Sequence, residues 1–131
     1  MEIETVLAIV GYVLIVFAAV SEAIMDKIQF HYDRSIFSDP KLKQTFWNPN
    51  ESWKNKWKDD WKTERFPGSS TIFVFTTDAW HLFKFFRNTS LFIGLPLLMF
   101  GFNHIIIEMI MARIMYGITF TLYFDKILVK K

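Results

Sequence analysis

The sequence predicts an all-α membrane protein: about three transmembrane helices plus an amphipathic Trp/Lys helix on the cytoplasmic side. Three observations carry this. Apolar residues make up 52% of the 131 residues, and they gather in clusters near bilayer length instead of recurring with the period of a soluble helix. A polar insert separates the first cluster from the rest. Nine of the 15 Lys and Arg lie in that insert (Lys27, Arg34, Lys41, Lys43, Lys54, Lys56, Lys58, Lys62 and Arg65), which makes it cytoplasmic by the positive-inside rule. The whole chain, 1–131, reads as a single membrane domain.

Span one is expected over residues 3–25. Glu2 and Glu4, and no Lys or Arg, come before its apolar run from Val6 to Val20, so it lacks the basic start of a secretory signal and is expected to remain as an uncleaved span with its N-terminus outside. Gly11, Ala18 and Ala19 are small enough to let a neighbouring helix pack closely.

The insert occupies residues 26–70. Within it a helix is expected over 49–62, with Asn48 as its cap, Pro49 in the first turn and Glu51 closing a capping box. Trp53, Trp57 and Trp61 recur every four residues, with Lys54, Lys56, Lys58 and Lys62 beside them. Indoles at a boundary with ammonium groups toward anionic lipid describe a helix lying in the headgroup layer, with Trp53, Trp57, Trp61, Lys54 and Lys58 as its membrane-interface residues. The same stripe could instead pack on the cytoplasmic ends of the spans. Residues 66–70 (FPGSS) read as a turn, and residues 71–75 (TIFVF) suit an extended segment.

Span two is expected over 78–100, capped by Thr76 or Thr77 and kinked at Pro96. Residues 101–103 form a tight connection in which Asn103 caps span three, 104–124. A basic tail, 125–131, then returns to the cytoplasm. Lys84 and Arg87 fall one to two turns inside span two, where a free cation is costly, so they must snorkel or find acids.

The polar residues of the spans are the most informative feature. Glu22 and Asp26 are four apart, Asp78 and His81 three apart, His104 and Glu108 four apart, so each pair shares a helical face. Carboxylate and imidazole on one face is a donor set that divalent metals use in helical bundles. Glu22, Asp26, Asp78 and His81, with His31, form the candidate metal or proton site near the cytoplasmic boundary. His104 and Glu108 form a secondary polar site near the opposite surface. Against a metal stands the charge balance: acids Glu22, Asp26, Asp78 and Glu108 meet Lys27, Lys84, Arg87 and Arg113, and a balanced set can neutralise itself. Lys84, Arg87 and Arg113 are accordingly the expected charge partners. Arg113 faces away from His104 and Glu108 and should meet span one or another subunit.

Several chemistries are excluded. With no Cys there are no disulfides, thiolate ligands or Cys nucleophile. There is no Gly-rich phosphate loop, Ser nucleophile elbow or HExxH. A net charge of +2 gives no reason to expect nucleic acid. The Asn88–Ser90 sequon falls at membrane depth and is a chance match. The sequence singles out no cofactor; a divalent metal is the one these residues would suit.

The strings FWNPNESWKNKWK (46–58) and FPGSSTIFVFTTDAWHLFK (66–84), with EAIMDKIQF (22–30) closing span one, resemble a group of small bacterial multi-span membrane proteins. The resemblance implies a membrane protein and a role for Asp78 and His81, and implies no activity. The expected function is a non-catalytic membrane subunit or interaction module with a buried carboxylate, His, Lys and Arg cluster near the cytoplasmic boundary. The alternatives are a metal-dependent enzyme acting on a lipid-borne or membrane-proximal substrate, and a proton or ion carrier. Expected partners are the lipid bilayer and other membrane subunits or further copies of the chain, and the expected location is the bacterial inner membrane.

Overall fold

The computed structural model describes residues 2–101 and 104–131, and among them it is helical throughout apart from turns and two isolated bridges. The long helices are α1 (Ile3–Phe30), α4 (Ala79–Gly101) and α5 (Ile105–Leu122), the last continuing as a π turn over Tyr123–Ile127. Two short helices, α2 (Gln44–Trp47) and α3 (Pro49–Ser52), lie in the insert. Two helical stretches, Ile3–Phe30 and Ile105–Ile127, are long and apolar enough to cross a membrane. Helix α4 has the length, at 23 residues, but carries Lys84, Arg87, Asn88, Thr89 and Ser90 in its first half.

Helix α1 is the spine. Helix α4 packs along it antiparallel, α5 packs on it over a shorter seam, and α4 and α5 scarcely touch each other. The α1–α4 contact is close because Gly11 and Gly94 meet there; a Cβ on Gly11 would lie 2.9 Å from Leu98, and one on Gly94 would lie 3.0 Å from Leu14. Gly11, Ala18 and Ala19 are buried, as the small-residue reading expects. Ile15, Leu98 and Ala112 close the middle of the bundle, one from each long helix.

Helix α1 runs five residues beyond the expected end at 25. Ala23, Ile24 and Ile28 are buried there against Phe37, Ala79 and Leu128, so the apolar stripe continues beneath the insert and holds the last turn and a half in place. The tail is docked as well. Ser35 pairs with Val129, Ile36 N donates to Leu128 O, and Lys130 N donates to Arg34 O.

The expected helix over 49–62 is not formed as such. Asn48 does cap it, its Oδ1 accepting from Asn50 N, but no return bond from the Glu51 carboxylate is present among the described residues. The helix ends at Ser52, tightens to a 3-10 turn over Trp53–Lys56, and gives way to a bridge between Trp57 and Glu64. The reason is Asp60. Its carboxylate accepts from Lys62 N, Thr63 N and the Thr63 hydroxyl, an Asx-type turn that competes with helix. Those bonds, the hydroxyl first, hold its pKa at about 2. Glu64 closes the next turn by accepting from the Ser70 hydroxyl and from Gly68 N and Ser70 N, which lowers its pKa also. Trp61 sits at φ 54 in the turn, and its ring meets Trp53 at 5.6 Å, so two of the three indoles cluster across a loop instead of along a helix.

Residues 71–75 are turn and 3-10 backbone, not extended. The cap of α4 is Asp78, whose Oδ1 accepts from His81 N, while the Thr77 hydroxyl donates back to Val74 O. The expected connection through Gly101 and Asn103, with Asn103 as cap, reaches Phe102 and Asn103, which lie outside the described residues.

Candidate functional site: a three-helix carboxylate lock and an Asp–His pair

Glu22 lies on α1 where α4 and α5 both pass. Its Oε1 accepts from Arg87 Nη1 of α4 at 3.3 Å, and its Oε2 accepts from the Tyr116 hydroxyl of α5. One carboxylate thereby joins all three long helices. Neither side chain of the ion pair is deeply buried, at 26% and 31% exposure for Arg87 and Glu22, but both oxygens are engaged. Near the other end of the seam the roles reverse: the Tyr12 hydroxyl of α1 donates to Glu108 of α5.

Asp78 and His81 form the second polar group. Asp78 is buried, and His81 Nδ1 lies 2.8 Å from both of its carboxylate oxygens. His81 Nε2 lies 3.5 Å from Lys56 Nζ, reaching across from the insert.

The expected metal or proton site is therefore divided. Glu22 is committed to Arg87 and Tyr116; Asp26 stands half-buried on α1 without an ion-pair partner among the described residues; Asp78 and His81 pair with each other at the start of α4. His31 is exposed, its ring edge-on to Phe124 at 5.4 Å. Among the described residues no three His, Asp or Glu side chains come near enough to hold one metal ion. The geometry explains the division: Glu22 lies opposite Arg87, about two and a half turns along α4 from Asp78. His104 and Glu108 also part company, His104 being exposed and Glu108 held by Tyr12.

The cations are satisfied in a way the charge balance did not anticipate. Among the described residues, Arg87 alone of these four cations pairs with a carboxylate; Lys27 is buried with its Nζ 3.9 Å above the Phe124 ring, and Lys84 places its Nζ 4.8 Å from the Trp80 ring. An aromatic face can offset part of an ammonium's desolvation without a counter-charge. Arg113 is exposed and lines a groove with Glu22, Tyr116 and the apolar Ile15, Leu91 and Leu95. In the insert, Trp53 and Trp61 are exposed, Trp57 is half-buried, Lys54 lies 5.8 Å from the Trp61 ring, and Lys58 is exposed.

Sequence reasoning missed three participants. Tyr12 and Tyr116 complete the carboxylate contacts, yet a tyrosine in an apolar run carries no spacing signal of its own. Lys56 carries in the sequence only the signal of a basic flank, and no local pattern encodes the turn that brings it to His81. No protein-family model, curated protein or solved structure matches this chain.

Proposed function

We infer that the chain is a non-catalytic integral membrane protein, an interaction module of three spans in which the polar residues fix how the helices pair. Helices α1, α4 and α5 are the spans, the N-terminus is outside, and the insert and C-terminus are cytoplasmic, as in a bacterial inner membrane. The observation that carries this reading is the Glu22 carboxylate, shared between Arg87 and Tyr116. A carboxylate with both oxygens engaged across three helices suits a structural fastening better than a proton station or a metal ligand, either of which needs a free oxygen. The exposed Ile106, Ile110, Ile114 and Ile118 on α5 offer a face for lipid or for a further membrane helix.

The test compares stability with transport. Glu22→Gln should lower unfolding stability in detergent by about 1–3 kcal/mol, because it weakens a charge-assisted pair and misplaces a donor against Arg87. The wild-type chain in vesicles should pass no protons above empty vesicles. Proton flux that Glu22→Gln abolishes at unchanged stability would replace this reading with the carrier.

A further inference from the structure

A pocket of about 250 Å³ opens beside the Asp78–His81 pair, between the end of α1, helix α3 and the start of α4. Ile28, Trp53 and Trp80 give it apolar walls, and Ser52, Lys56 and His81 bring polar atoms to it. Each of these three is available to a ligand. Asp78 takes the Nδ1 side of His81, which turns Nε2 outward, as a carboxylate does when it orients a working imidazole. Lys56 Nζ has that Nε2 at 3.5 Å as its only partner among the described residues, leaving ammonium hydrogens unused. Ser52 is 5% exposed and lines the pocket, and its hydroxyl bonds to no other described residue. No fully enclosed side-chain polar atom lacks a partner among the described residues, so the Ser52 hydroxyl, on a residue that lines the pocket, keeps some exposed surface.

We propose that this pocket is a binding site for a phosphate group, carried by a membrane lipid or free in solution. An ammonium, an imidazole and a hydroxyl approach from three elements, which suits an anion with several acceptor oxygens. The nearby acid does not oppose this. Asp78 is 3% exposed and its oxygens are turned to the His81 backbone N–H and ring, so little of its charge faces an incoming anion. A divalent cation is disfavoured by Lys56 standing at Nε2, where the ligand would have to sit. Asp78 already occupies the N-terminus of α4, so binding depends on the three side chains. A pocket with a lysine and indole walls at the end of a span is also where headgroup recognition is found. The lipid source rests on the membrane reading above; the site itself does not.

The experiment titrates the purified full-length chain in detergent with short-chain phosphatidic acid, with the diacylglycerol of the same chains, and with inorganic phosphate. Heat of binding and tryptophan fluorescence are read together, since Trp53 and Trp80 flank the pocket. Phosphatidic acid should bind saturably and diacylglycerol should not. Lys56→Ala and His81→Ala should each weaken binding about tenfold, the loss expected of one charge-assisted hydrogen bond. Lys54→Ala and Lys58→Ala, whose residues do not line the pocket, should leave it unchanged. Ser52→Ala, a small change on a short helix, should weaken binding a few-fold and covers the case in which the Lys56 or His81 variants fail to fold. Inorganic phosphate that competes at similar concentration identifies a solution ligand, and phosphate that does not compete identifies the lipid. Equal binding of diacylglycerol, or equal weakening by Lys54→Ala and Lys56→Ala, overturns the site. A chain that stays monodisperse without detergent would defeat the membrane reading alone, and the inorganic phosphate titration would still decide this one.

Discussion

Gly11 and Gly94 lie face to face across the α1–α4 contact, each filling the space where the other would need a side chain. A Cβ on Gly11 would sit 3.0 Å from the Gly94 carbonyl oxygen, and a Cβ on Gly94 would sit 3.2 Å from the Gly11 carbonyl oxygen. Backbone cannot yield as a flexible side chain can, so Gly94→Val should force the helices apart. The expected loss is about 1–3 kcal/mol, measured as unfolding stability in detergent. Gly117→Ala is the internal control: its Cβ would meet only the end of Arg113, at 3.4 Å, and the helix gains up to about 1 kcal/mol of propensity. Equal destabilisation by both would refute the close-approach account.

Tyr116→Phe removes one donor from Glu22 and leaves Arg87 in place. The expected cost is about 1–2 kcal/mol. In a double-mutant cycle with Glu22→Ala the two losses should fall short of adding, since both remove the same hydrogen bond. Additive losses would mean that the phenol and the carboxylate act independently.

The turn at residues 58–70 should be sensitive to acid. The folded pKa of Asp60 is lowered from 3.8 to about 2, and that of Glu64 is lowered from 4.5. Both contributions are therefore complete above the ordinary carboxylate range; that of Asp60 is lost as pH falls through about 2, and that of Glu64 as pH falls below its ordinary range. Near-ultraviolet circular dichroism of the Trp53–Trp61 pair should fade over that interval, and Asp60→Asn should show part of the same change at neutral pH. A signal flat down to pH 2 would count against the turn.

Because the chain has no cysteine, single-cysteine variants report sidedness without background. Under the proposed topology, Glu4→Cys and His104→Cys should label from outside intact cells, and Lys54→Cys and Lys130→Cys only after permeabilisation. Labelling of His104→Cys from the cytoplasmic side would show that α4 and α5 turn back without crossing.

The long helices were legible in the sequence because each is rich in apolar residues over about 20 positions, even where α4 carries Lys84 and Arg87: the expected 78–100 and 104–124 differ from Ala79–Gly101 and Ile105–Leu122 by a residue or two at each end. The insert was not, because its backbone is set by carboxylates that bond their own neighbours. Asp60 overrode a four-residue Trp period that, counted alone, reads as helix. The polar site was half legible. Spacing finds pairs on one helix, such as Asp78 with His81, but Glu22 meets Arg87 and Tyr116 from other parts of the chain, and no local pattern encodes that.

The two tyrosine–glutamate contacts along the α1–α5 seam run in opposite senses, Tyr12 reaching to Glu108 and Tyr116 reaching back to Glu22. Between them the seam is largely apolar, with Ile15 and Ala112 at its centre, and such a surface tolerates sliding and rolling. Two rivets of opposed polarity forbid both motions, since any shift by a single residue pulls each phenol from its carboxylate together. The fifth helix is thus indexed to the first, and a conformational change that released one end would be expected to release the other.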